Sequence, residues 1–140
     1  MSKLYPYPAV QYIPLTFELL FRQTNLPTHP FILLGPEITA QKELIEEKFG
    51  VQLPPCQEKA NQLFLLLGGF EPLEIKYRGY YVTIKATLNP ILCLISLPKH
   101  YFYKNTLVFQ AKKEDGGLLV SKTYHLPDQR RLKASSSQKF

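Results

Sequence analysis

From Phe70 to His125 the chain is a series of β-branched and aromatic runs separated by turn residues, a pattern that a sheet accommodates and a helical bundle does not. Leu73, Ile75 and Tyr77 alternate with Glu74, Lys76 and Arg78, the period of a strand with one buried face. Gly79 marks a tight turn or bulge. Residues 80–88 form a β-branched and aromatic run, and Asn89-Pro90 reads as a turn. Residues 91–97 are almost wholly apolar and predict a central strand. After a turn at Pro98-Lys99-His100, two further runs flank Glu114-Asp115-Gly116-Gly117, the clearest hairpin signal in the chain. All of these strands are expected to be antiparallel.

The first half reads as more mixed. Tyr5-Pro6-Tyr7-Pro8 and Tyr12-Ile13-Pro14 predict an extended arm, because each proline removes an amide donor and holds its predecessor extended. From Ile13 apolar residues alternate as far as Phe21, giving a strand, with a short helix over 15–23 as the competing reading. Residues 31–34 form a short buried run. Thr39 is a plausible N-cap for a helix over 40–49, with Leu44, Ile45 and Phe49 as its apolar stripe and Gly50 as its stop. Cys56, Ala60, Leu63, Phe64 and Leu67 fall on one helical face, so a second helix is expected, ended by Gly68-Gly69.

The fold class expected from these elements is α+β: two helices packed on one face of an antiparallel sheet of about five strands. The extended Pro/Tyr-rich arm covers 1–14, and a single domain covers 1–126. Residues 127–140, with little apolar content to bury, predict a mobile basic tail. A chain of 140 residues that is 45% hydrophobic needs no disulfide or metal staple to form a core.

Several function classes find no support. The longest uncharged run, residues 4–17, contains three prolines and is shorter than the ~20 apolar residues of a spanning helix. No basic region followed by an apolar block opens the chain, so no signal peptide is read, no membrane insertion is expected, and the expected compartment is intracellular, cytoplasmic or nuclear. Cys56 and Cys93 are expected to be reduced and buried. Together with His29, His100 and His125 they lack the short spacings of a zinc site. No nucleophile elbow, phosphate-cradling loop or dinucleotide fingerprint is present, and Glu43, Glu46 and Glu47 read as the wet face of a helix. No cofactor is expected, and no catalytic residues are assigned.

The positive signal is electrostatic. The net charge is +6, but residues 1–75 carry five Lys/Arg against eight Asp/Glu, while residues 76–140 carry twelve against three. Such a division points to a polyanionic partner or an acidic protein surface. Lys76, Arg78, Tyr80 and Tyr81 interleave cations with rings, as do Lys99, Tyr101, Tyr103 and Lys104. Lys112, Lys113 and the tail residues Arg130, Arg131 and Lys133 extend the basic character. Cations neutralise phosphate, and exposed rings stack on unpaired bases. The competing reading is ordinary: tyrosine is common in strands, and lysines on the opposite face are solvated. The expected function is therefore a small, non-catalytic nucleic-acid-binding protein or nucleoprotein subunit, contacting RNA or DNA through its C-terminal β half. The alternatives are an accessory subunit that binds protein partners, or copies of itself, through exposed aromatics and a sheet edge, and an enzyme built around one of the histidines.

Overall fold

The computed structural model describes residues 12–56, 62–99 and 106–125. Its elements are β1 (Ile13–Leu15), β2 (Glu18–Thr24), β3 (Phe31–Leu34), α1 (Gly35–Phe49), β4 (Gln62–Arg78), β5 (Tyr81–Pro98), β6 (Thr106–Lys112) and β7 (Leu118–His125). The fold is mostly β, with seven strands in one mixed sheet and one helix among the described residues. This corrects the expected pair of helices on a five-stranded antiparallel sheet. The arm over 1–11 and the tail over 127–140 lie outside the described residues.

The frame is the β4–β5 hairpin, paired antiparallel from Gln62↔Pro98 to Arg78↔Tyr81. Gly79 and Tyr80 close it, with Gly79 at φ 63°, as a two-residue loop with a positive first φ requires. Register shifts at Gly68/Phe70 and Pro72/Glu74 divide the hairpin into two halves with different companions. Beside the first half lie β3, against β4, and β2, against β5. Beside the second half lie β1, against β4, and β6, against β5, with β7 beyond β6.

The β5–β6 pairing is parallel, with Tyr81 opposite Val108 and Lys85 opposite Lys112. This corrects the all-antiparallel expectation and constrains the shape. A straight β5 of 18 residues would extend about 60 Å at ~3.3 Å per residue. The eight steps from Pro98 to Thr106 reach at most about 29 Å. β6 can therefore return to the start of β5 only because the hairpin folds over at its bulges. Folded so, the inner faces of the two halves meet. Leu63, Leu65, Leu67, Cys93 and Ile95 from the first half form one core with Ile75, Val82, Ile84, Leu107 and Phe109.

The first half is covered on its other face too. Phe64, Leu66, Leu92 and Leu94 pack against Ile38 and Ile45 of α1 and against Leu53. A strand buried on both faces has no polar alternation to show. That is why residues 63–67 mimic a helical stripe, and why the second expected helix is instead the start of β4; residues 57–61 of that stretch lie outside the described residues. Asn89-Pro90 likewise does not end a strand, since β5 runs through it.

α1 starts five residues before the expected helix. Pro36 occupies its first turn, and the Glu37 carboxylate accepts a hydrogen bond from the Leu34 N–H at 3.1 Å, satisfying a donor that the helix leaves open. Thr39 is not the cap; its hydroxyl donates to the Gly35 carbonyl within the helix. Gly50 ends the helix in the left-handed region, as expected. Glu37 also pairs with Lys122 of β7 at 2.6 Å, and Glu46 accepts from the Leu53 N–H at 2.7 Å. Glu46, expected on a fully wet face, and Glu37 thus tie the helix to its surroundings, while Leu44, expected in the apolar stripe, is 68% exposed.

Candidate nucleic-acid interface

In the second half of the hairpin, alternation sends Ile75, Tyr77, Val82 and Ile84 inward. The residues between them face out, and register aligns them across three strands. One row runs Arg78–Tyr81–Val108, the next Lys76–Thr83–Gln110, and the third Glu74–Lys85–Lys112. The Glu114–Gly117 turn adds Lys113 at the end of the third row. Lys113 N–H donates to the Gly117 carbonyl, and Asp115 accepts from the Gly117 N–H at 2.8 Å, which fixes that turn.

Part of this face lines an open groove of about 300 Å³ bounded by Tyr12, Glu74, Lys76, Thr83, Lys85, Lys112, Lys113, Glu114 and Gly116. Its charge is unbalanced. Lys76 lies 3.8 Å from Glu74, and Lys113 lies 3.8 Å from Asp115, both on exposed side chains. Pairs of this kind contribute little, about 0–1 kcal/mol, and yield readily to a competing anion. Lys85 and Lys112 sit directly opposite each other on neighbouring strands and make no ion pair among the described residues. Like charges in that position oppose sheet pairing, so a bound anion would relieve them. Arg78 places its guanidinium 5.3 Å from the centre of the Tyr12 ring.

Tyr80 and Tyr81 stand at the hairpin tip beside Arg78. Their rings stack with centroids 4.5 Å apart, their hydroxyls lie 3.4 Å apart, and they are 43% and 39% exposed. The hydrogen bond with Tyr80 raises the Tyr81 hydroxyl above its ordinary range.

Lys76, Arg78, Tyr80, Tyr81, Lys112 and Lys113 are thus gathered at one end of the sheet. Lys99 is not. It follows the last residue of β5, at the opposite end of that strand from Tyr81. Tyr101, Tyr103, Lys104, Arg130, Arg131 and Lys133 lie outside the described residues. Lys85 and Thr83 belong to the groove without having been singled out from the sequence. The period-two alternation Tyr81–Thr83–Lys85 is the signal that would have found them. Tyr12, read as part of an arm, borders the groove as well.

The other candidate chemistries stay dispersed. His29 and His125 are exposed, and His125 Nδ1 lies 3.2 Å from the Thr106 hydroxyl; His100 lies outside the described residues. Among the described residues no group of three or more His, Cys, Asp and Glu is placed to hold a metal. Arg22 donates to Glu71 at 3.1 Å, and Asn89 donates to the same carboxylate, tying β2 to the bulged part of β4. The Arg22 hydrogen bond holds the Glu71 carboxyl below its ordinary range against the opposing effect of burial.

Both cysteines are free. Burial first, and the nearby Glu71 charge second, push the Cys93 thiol up to about 11; burial also raises Cys56. Thiolate is the reactive form. At pH 8, therefore, iodoacetamide should label Cys56 before Cys93 in the native protein and both together once denatured; prompt labelling of native Cys93 would contradict this burial. Because the folded pKa lies above the unfolded one, the contribution of Cys93 to stability is full below about pH 9 and is lost as pH rises through about 11.

Among the described residues no helix is long and apolar enough to cross a membrane. Comparison of the chain with protein-family models, with curated proteins and with solved structures gives no match.

Proposed function

We propose that this protein is a non-catalytic nucleic-acid-binding protein, acting as a subunit of a nucleoprotein complex through the outward face of β4, β5 and β6. The observation that carries this reading is that Lys76, Lys85, Lys112 and Lys113 line one groove, with Arg78 in the row next to Lys76 and with Lys85 and Lys112 adjacent and outside any ion pair among the described residues. Phosphate affinity comes chiefly from such cations through release of counterions. Placement on three paired strands supplies what a scattered set of lysines lacks, a fixed spacing for a backbone to follow. Lys99 is not in those rows or in the groove lining.

The test is fluorescence anisotropy of labelled oligonucleotides with the full chain at two salt concentrations. Five phosphate contacts give a slope of about −3.5 in log K against log salt, so binding should weaken about 100-fold between 50 and 200 mM. Lys85→Glu with Lys112→Glu should weaken binding at both salts and flatten the slope by at least about 1.4. Binding that ignores both salt and the double reversal would discard this interface.

A second reading rests on another surface. Phe31, Leu33, Leu44, Ile45 and Phe49 line a smaller groove between β3 and α1, and Leu44 is largely exposed there. Exposed apolar side chains beside an edge strand suit a protein partner. Binding of such a partner would persist at high salt, which separates it from the first reading.

A further inference from the structure

The tyrosine pair and the cation rows occupy one continuous surface, and a nucleic-acid duplex makes poor use of that combination. Tyr81 follows Arg78 across the hairpin and precedes Thr83 and Lys85 on the same outward face of β5. At ~3.3 Å per residue, Tyr81 lies about 13 Å from Lys85 along the strand. A backbone laid along Lys85, Lys112 and Lys76 would thus bring a nucleotide to the tip. There Tyr80 and Tyr81 are already stacked on each other and exposed. A ring held in advance costs less to order on binding than one that must be fixed by the ligand. The Arg78 guanidinium, placed by Tyr12, supplies a flat cation at the same position.

In a duplex each base is covered above and below, so it offers no face to such a pair until it is unstacked, which costs a few kcal/mol per step. A single strand offers its base faces freely, and aromatic stacking accepts any base.

We infer that the ligand of this face is single-stranded nucleic acid, held by phosphate contacts to Lys76, Lys85 and Lys112 and by stacking of one unpaired base on the Tyr80–Tyr81 pair. This inference rests on the nucleic-acid reading above and adds the class of strand. The surface is short, which places the site near the low end of the ~4–16 nucleotides that single-strand-binding folds cover. Stacking and phosphate contacts accept any base, so binding follows strand form more than sequence.

The test compares three fluorescein-labelled probes with the full-length protein at 50 mM salt: a 12-nucleotide oligo(U), a 12-nucleotide oligo(dT) and a 12-base-pair DNA duplex. The single strands should bind at least about tenfold tighter than the duplex. Tyr80→Ala with Tyr81→Ala should weaken single-strand binding by about 10- to 100-fold and leave duplex binding unchanged. Tyr81→Phe keeps the ring and should retain the preference, which guards against a folding defect in the double variant. A preference for oligo(U) over oligo(dT) would assign the strand as RNA, the reverse as DNA, and equal affinities a backbone-tolerant site; all three support the inference. Equal binding of duplex and single strands, insensitive to the tyrosines, would overturn the stacking inference and leave phosphate binding standing. No binding of any probe would overturn both.

Discussion

Replacing Gly69 by alanine is expected to remove about 2–5 kcal/mol of folding stability, against the roughly 5–15 kcal/mol that a domain usually has. Two costs combine there. Gly69 has φ 84°, a conformation that costs an L-residue about 1–2 kcal/mol. A Cβ at that position would also lie 2.9 Å from Pro30 N and Thr28 O, and backbone atoms cannot swing aside as a side-chain tip can. Overpacking of that kind costs typically 1–3 kcal/mol. Gly50 is the matched control, since it has φ 65° with nothing near its missing Cβ. Gly50→Ala should lose only the conformational part, about 1–2 kcal/mol. Denaturant titration of both variants measures the difference. Equal losses would mean that the 28–30 segment does not lie against the bulge as described. The site matters because this bulge is where the hairpin changes companions and folds over.

The same glycine pair shows why the sequence was misread in this region. Gly68-Gly69 reads as the end of a helix because glycine commonly stops helices and because the preceding residues are apolar at helical offsets. The structural cause is tertiary. The Phe31 ring lies where a Cβ of Gly68 would be, and residues 28–30 press on Gly69. Neither approach leaves a trace in the local pattern. Residues 63–67 and 91–97 carry no alternation because α1 covers one face of their sheet and the folded-over second half covers the other. Where only one face is covered, at Ile75, Tyr77, Val82 and Ile84, period two is legible and the structure keeps it. The hairpin around Glu114–Gly117 and the stop at Gly50 were legible for a related reason: each depends on the backbone preferences of a few adjacent residues.

The candidate site was legible as a composition and not as a shape. Lys76, Arg78, Lys112 and Lys113 could be named from charge alone, but nothing in the sequence joins residues 76–78 to residues 112–113. The parallel β5–β6 register does so, and it depends on the fold-over. Lys85 escaped notice because its neighbours are β-branched and apolar, whereas the basic–aromatic segments drew attention by local density. Lys99 sits in such a dense segment, yet it is not among the residues that line the groove.

Phe109→Ala is expected to cost about 3–5 kcal/mol, and Gln110→Ala less than about 0.5 kcal/mol, although the two are neighbours on one strand. Phe109 is fully buried between the two halves of the sheet, while Gln110 faces the groove side. Leu107, Phe109 and Ala111 point inward, so Val108, Gln110 and Lys112 point outward. A slip of one residue would reverse every one of these, placing Lys112 in the core and Ala111 beside Lys85. The large ring at 109 thereby sets the position of a lysine three residues away on the other face. Thermal or denaturant unfolding of the two variants gives the contrast directly. Two small losses would mean that β6 is not anchored in the core in this register, and the pairing of Lys112 with Lys85, on which the nucleic-acid reading stands, would lose its support. A large loss at Phe109 alone ties the basic row on the surface to the packing beneath it.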